Sequence, residues 1–205
     1  MTTHVYYNDL PDGLQLGPVV AIDTETMGLN VNRDRLCLVQ LTDGSGSVHM
    51  IRASNCLTFK SNLAKLLRDE DTVKIFHYAR FDLGMLSKWL DIDRAKNVYC
   101  TKVASKLART NTGRHGLASL CQDLLGVKLD KQQQTSDWGT EEPFTEEQLE
   151  YAAQDVLHLH ALKDKLDGLI IREGVNELAD SVFKTLPTVA EIDVYQYDPL
   201  SILGH

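Results

Sequence analysis

The sequence predicts an α/β protein built on one mixed sheet, a three-strand antiparallel meander leading into parallel strands flanked by helices. Two observations predict the architecture. The β-rich runs VVAIDTE, LCLVQLTD and SVHMIRA follow one another, separated by short connections that contain the turn-rich NVNRDR and GSG. Such connections are too short for a crossover helix and suit antiparallel neighbours. After them the pattern changes to strand and helix in alternation, which adds parallel strands to the meander. A third observation, size, sets the scale: 205 residues, 43% hydrophobic and 24% charged, fit a single domain over 1–205 with a sizeable core.

The elements follow in order. After the meander, Phe59 to Arg68 carries a helical pattern, VKIFHYA reads as a buried strand and FDLGMLSKWL as a helix. VYCTKVASKLAR is a short strand running into a helix, and HGLASLCQDLLG is a helix with Gly126 as its C-cap. Thr145 starts the next helix in TEEQLEYAAQDVLHLHALKDKL, with Glu147 and Gln148 beside the capping-box position. Val175 to Leu186 is the last predicted helix, and the tail VYQYDPLSILGH is expected to be too short for another domain.

Three acidic patches sit on these elements. Alternate residues of a strand share a face, so Asp23 and Glu25 project side by side and Thr24 turns away. Asp82 lies in IFHYARFDLGML at the start of a helix, and Tyr151 and Asp155, at i and i+4, share one helix face. Singly, each has a plainer explanation: a strand-to-turn junction, a helix cap for Asp82, a core Tyr151 beside an Asp155 paired with Lys163. Jointly they describe one site. Four gathered carboxylates repel unless divalent cations neutralise them, and oxygen ligands select hard ions such as Mg2+ or Mn2+. Two such ions, about 3.5–4 Å apart, clamp an in-line phosphoryl displacement.

The ordered set DxE, HxxxFD and YxxxD resembles the DEDD 3'-5' exonucleases over roughly residues 18 to 165. The Tyr four residues before the last Asp resembles their DEDDy branch, which contains ribonuclease D. The stretch DKQQQTSDWGTEEPFTEEQLEYAAQDV, Asp130 to Val156, is similar to the ribonuclease D segment entering the third motif. The resemblance implies a ribonuclease H-like fold, with Asp23, Glu25, Asp82 and Asp155 as metal ligands and catalytic residues and Tyr151 acting on the attacking water. It also implies that Met27, Gly28, Leu29 and His77 approach the substrate, Leu29 matching a leucine that wedges between two bases. His77 is alternatively a hydrogen-bonded strand-end histidine. Two positions depart from the pattern: Tyr78 replaces an Asn, and EEPFT lacks a basic residue near the third motif.

Charge bears on the substrate. The net charge is -8 and the basic residues are dispersed, Lys102, Lys106, Arg109 and Arg114 being the nearest thing to a cluster. Affinity for long nucleic acids grows with each phosphate neutralised, so this balance favours a short substrate in a pocket. Compactness, acidity and Leu29 together resemble the nanoRNase C group, which implies degradation of dinucleotides and short RNA, release of nucleoside 5'-monophosphates and a ring-shaped homo-oligomer, an octamer. The helical nucleic-acid-binding domains of ribonuclease D are not expected. Trimming of longer RNA 3' ends, DNA exonuclease action and a non-catalytic binding module are the alternatives. Cys37, Cys56, Cys100 and Cys121 are scattered without CxxC spacing, which disfavours zinc and disulfides. No apolar run reaches the ~20 residues of a membrane span. The N-terminus lacks the plan of a signal peptide, so a cytoplasmic protein is expected. His158, His160, Trp138 and Phe144 read as structural.

Overall fold

A computed structural model describes residues 2–54, 61–129 and 136–204. Its centre is a six-stranded mixed sheet: β1 (Thr2–Tyr7), β2 (Val19–Thr26), β3 (Leu36–Thr42), β4 (Ser47–Arg52), β5 (Val73–Phe76) and β6 (Val98–Cys100), in the spatial order β1-β4-β3-β2-β5-β6. The meander β2–β3–β4 is antiparallel, and β5 and β6 extend it in parallel. This is the predicted fold class. The unpredicted strand is β1, which pairs in parallel with β4 at the sheet edge.

Burial explains why the meander forms. Every residue of β3 is buried, as are four of six in β4, the near-continuous apolar character of strands covered on both faces. Pairing between β2 and β5 ends at Ala21↔Ile75, while β2 runs on to Thr26. Asp23 and Glu25 therefore stand beyond the end of β5. The β2–β3 register shifts between Glu25 and Thr26, a bulge of the kind that re-aims side chains beside active sites.

The helices are α1 (Asn62–Arg68), α2 (Ala79–Leu90), α3 (Thr101–Ala108), α4 (Leu117–Leu120), α5 (Glu146–Leu157), α6 (Leu159–Arg172), α7 (Asn176–Val194) and α8 (Pro199–Leu203). The α1 N-cap is Ser61, whose side chain accepts from Ala64 N; Phe59 and Lys60 of the predicted helix lie outside the described residues. The helix predicted to end on Gly126 is α4 continued by a π-helical turn, Cys121–Leu125, and Gly126 caps it at φ +71. Thr145 opens α5 with a complete capping box, its partner being Gln148. The expected long helix breaks at His158, giving α5 and α6.

One expectation fails at Pro187. The last helix does not stop at Leu186 but runs through the proline to Val194. Ala179, Phe183, Leu186 and Ala190 are its buried stripe, and α7 packs along α2. Gly84 in α2 makes room for Val31, since a Cβ there would lie 3.3 Å from both Val31 methyls, while Ala190 O of α7 would be 3.9 Å away. Beyond the proline, Arg80 grips Asp193 through Nε and Nη2 at 2.6 and 2.7 Å, and Arg94 Nε meets Glu191 at 2.6 Å. An interior proline costs about 3 kcal/mol relative to alanine, and these tertiary contacts outweigh it. Pro187→Ala is accordingly expected to stabilise the protein by about 1–2 kcal/mol after the loss of unfolded-state restriction is deducted. Urea melts check this; a lower midpoint would show that the proline ring's packing dominates. Among the described residues no helix is long and apolar enough to cross a membrane.

Candidate active site

Strand alternation sends Asp23 and Glu25 to the side of β2 on which α5 packs. There they meet Asp155. Ligand oxygens of Asp23, Glu25 and Asp155 lie within 4.8 Å of one another. Tyr151 stands one turn before Asp155 on the same helix. Asp82 is not part of that close trio. It is buried in the first turn of α2 and accepts a 2.6 Å hydrogen bond from Thr24 Oγ1, so Thr24, turned away as predicted, holds the fourth carboxylate. Asp82 does not cap α2; its N-cap is Tyr78, without a side-chain cap bond. Lys163 pairs with Asp167 rather than Asp155, at 2.6 Å.

Electrostatics show what the cluster lacks. Among the described residues no lysine or arginine forms a salt bridge with these four carboxylates. Burial, then the charges of Asp82, Asp155 and Glu25, push Asp23 well above the usual carboxylate range. Burial and the neighbouring Asp155 and Asp82 raise Glu25 to about 8. Burial raises Asp82 to about 7 against the Thr24 bond, and Asp155 to about 6. Each group resists ionisation without a counter-charge. Carboxylate oxygens converging with no resident cation fit a hard divalent ion.

Tyr151 is held by its surroundings. Trp138 is buried, its ring 6.2 Å from that of Tyr151 and 5.6 Å from that of Phe144. The segment carrying Trp138 is pinned to the sheet: Arg35 Nη2 donates to Gly139 O at 2.7 Å, and Arg52 donates to Glu142 O at 2.7 Å and to Thr140 O. Arg52 also lies over the Phe144 ring, 4.7 Å from its centroid. Arg52 of β4 thus places a guanidinium beside the EEPFT segment. Burial first, then the charges of Asp155, Glu25 and Asp23, push the Tyr151 phenol well above its usual range. Asp130 to Thr135, at the start of the segment entering the third motif, lie outside the described residues.

The other expected substrate positions separate into rim and support. Leu29 is 86% exposed and Met27 59%. Met27 Sδ accepts from Arg35 Nε at 3.3 Å. Gly28 has a steric reason of its own, because a Cβ there would fall 2.3 Å from Asp34 Oδ2. Burial, with Lys102 nearby, pushes His77 down to about 3, so the ring is neutral. Its Nδ1 is 2.9 Å from Thr101 Oγ1, and that hydroxyl donates to Phe76 O; the proton therefore sits on Nδ1, leaving Nε2 as an acceptor. Tyr78 holds a strained φ of +79 with Lys102 Nζ 4.0 Å from its ring centroid. Arg109 and Arg114 share Asp123, so the nearest thing to a basic cluster is partly neutralised. His160 Nε2 contacts Val19 O at 3.0 Å, a structural role. Sequence reasoning missed Thr24 as a donor, Gln40, whose Nε2 donates to Asp23 Oδ2 at 2.9 Å, and the reach of Arg52. The only signal for Gln40 was a polar residue inside an apolar strand.

Comparison with known proteins gives the family and the fold. A family model described as 3'-5' exonuclease matches residues 2–171. Ribonuclease D of Gluconacetobacter diazotrophicus is 31% identical over 199 residues, covering 97% of this chain and 49% of that protein. The chain spans about half the length of the curated ribonuclease D relatives it matches. Brucella melitensis NrnC with bound Mg2+ superposes with a TM-score of 0.88 at 46% identity, covering 95% of this chain and 94% of that one. The same protein bound to pGG gives 0.88 at 47% identity, with 95% and 94% covered.

Proposed function

The chain belongs to the 3'-5' exonuclease family, and from that premise we propose that it is a metal-dependent 3'-5' exoribonuclease acting on dinucleotides and short RNA. The observation that carries the proposal is the convergence of Asp23, Glu25 and Asp155 within 4.8 Å, with Tyr151 one turn from Asp155. When bound, two divalent ions, Mg2+ or Mn2+, supply charge for the phosphate and lower the pKa of a bound water. Asp23, Glu25 and Asp155 would hold one ion, and Asp23 and Asp82 would serve the other. Thr24 keeps Asp82 aimed. Tyr151, its phenol kept protonated, would orient the attacking water; the water's oxygen bonds to the 3'-terminal phosphorus as the P–O3' bond breaks, which leaves a nucleoside 5'-monophosphate and a shortened chain with a free 3' hydroxyl. His77 Nε2 offers an acceptor to the terminal nucleotide.

Short substrates are favoured by three things: Leu29 projecting at the rim beside Met27, a net charge of -8, and the pGG held by the Brucella protein. A homo-oligomer of the ring type belongs to the same reading, with exposed Tyr195, Tyr197, Leu200 and Ile202 as apolar surface to cover. So does a cytoplasmic setting, in which the buried free thiols Cys37, Cys100 and Cys121 stay reduced; Cys56 lies outside the described residues.

Dinucleotides are expected to be cleaved at least as efficiently as a 20-mer, with little dependence on salt because few counterions are released. Leu29→Ala should weaken dinucleotide binding by about 1–3 kcal/mol, the range for one stacked base. Rates on RNAs and DNAs of two to twenty nucleotides test this. Ladders that shorten evenly while dinucleotides accumulate would transfer the assignment to ribonuclease D-like trimming. A clear preference for DNA would transfer it to a DNA exonuclease.

A further inference from the structure

We infer that Gln40 is a positioning residue, fixing one oxygen of Asp23 so that the rest of that carboxylate faces the metal. Gln40 stands directly opposite Asp23 in the β2–β3 register, is fully buried, and donates Nε2–H to Asp23 Oδ2 at 2.9 Å. Its own Oε1 is buried with no hydrogen-bond partner among the described residues. With Asp23 ionised, as it would be when holding a cation, the reversed amide would set its acceptor against a carboxylate oxygen, so the contact orients the amide and leaves Oε1 orphaned. A buried acceptor without a partner destabilises a fold; an apolar side chain of similar shape would remove that orphan and leave Asp23 Oδ2 without its donor. The strand around it is apolar: Leu36, Cys37, Leu38, Val39 and Leu41 are all buried. Packing alone therefore gives no reason for an amide here, and the contact with Asp23 does. Partners of metal-ligating carboxylates typically change metal affinity 10- to 100-fold when removed.

This inference rests on the reading of Asp23 as a metal ligand, so the test separates the two. Wild type, Gln40→Met, Gln40→Leu and Asp23→Asn are compared by calorimetric Mn2+ titration, by thermal melts in EDTA, and by kcat and KM on a dinucleotide at saturating metal. The apolar variants are expected to melt close to the wild-type temperature, the orphaned Oε1 and the lost donor to Asp23 offsetting each other. They should bind Mn2+ about 10- to 100-fold more weakly, with kcat reduced and KM unchanged. Wild-type Mn2+ affinity in both apolar variants, while Asp23→Asn loses it, overturns the role of Gln40 alone. Wild-type Mn2+ binding by Asp23→Asn overturns the metal reading itself. An apolar variant that melts lower and binds metal normally makes Gln40 a packing residue and also defeats the inference.

Discussion

Asp155→Ala and Asp23→Ala are each expected to abolish hydrolysis while raising the melting temperature of the metal-free protein. Each removes a ligand from the close trio of carboxylates. Metal-borne charge stabilisation is worth several kcal/mol in the transition state, so the loss is on the order of a thousandfold or more. The stability gain comes from the same geometry. Without metal the cluster holds carboxylates whose folded pKa values are raised, Glu25 to about 8, Asp82 to about 7 and Asp155 to about 6, against roughly 4 in the unfolded chain. A raised carboxylate pKa means that the unfolded chain releases its proton first. The contribution to stability is then complete below about pH 4 and is lost as pH rises through the folded values. From these groups, the wild-type melting temperature in EDTA should fall between about pH 4 and 8, Mg2+ should oppose the fall, and Asp155→Ala should reduce it. A substantially active Asp23→Ala or Asp155→Ala enzyme would sink the assignment. So would an EDTA melting curve whose midpoint is the same at pH 5 and pH 8.

Tyr151→Phe should lower turnover by roughly a hundredfold, the lower end of what a positioned proton-transfer or hydrogen-bonding group supplies, and leave KM nearly unchanged. The ring contact with Trp138 is retained by phenylalanine, so binding surfaces persist and only the hydroxyl is lost. An interaction that strengthens toward the transition state appears in kcat rather than KM. Single-turnover cleavage at the wild-type rate would make Tyr151 a packing residue.

The parts of the fold and site that were legible in the sequence are those written in local periodicity. Alternation made Asp23 and Glu25 neighbours, helical spacing joined Tyr151 to Asp155, and Thr145 with Gln148 marked the start of α5. What escaped was non-local. Strand β1 is a partly exposed edge strand whose partner, β4, lies some forty residues away, and nothing in TTHVYY itself specifies that pairing. Pro187 is a local stop signal overridden by the packing of α7 on α2 and by Arg80. The roles of Thr24, Gln40 and Arg52 are cross-strand or cross-fold contacts with no spacing rule. The resemblance named the carboxylates, and the structure shows what aims them.

The close trio of carboxylates draws on the first strand of the meander and on a helix far along the chain. A growing polypeptide that has completed all six strands still has no cluster, because Asp155 and Tyr151 are synthesised later. The cluster therefore forms only when α5 docks on β2 and β3, and it is lost if α5 lifts away. Under the proposed function, an incomplete chain would carry the sheet but not the site.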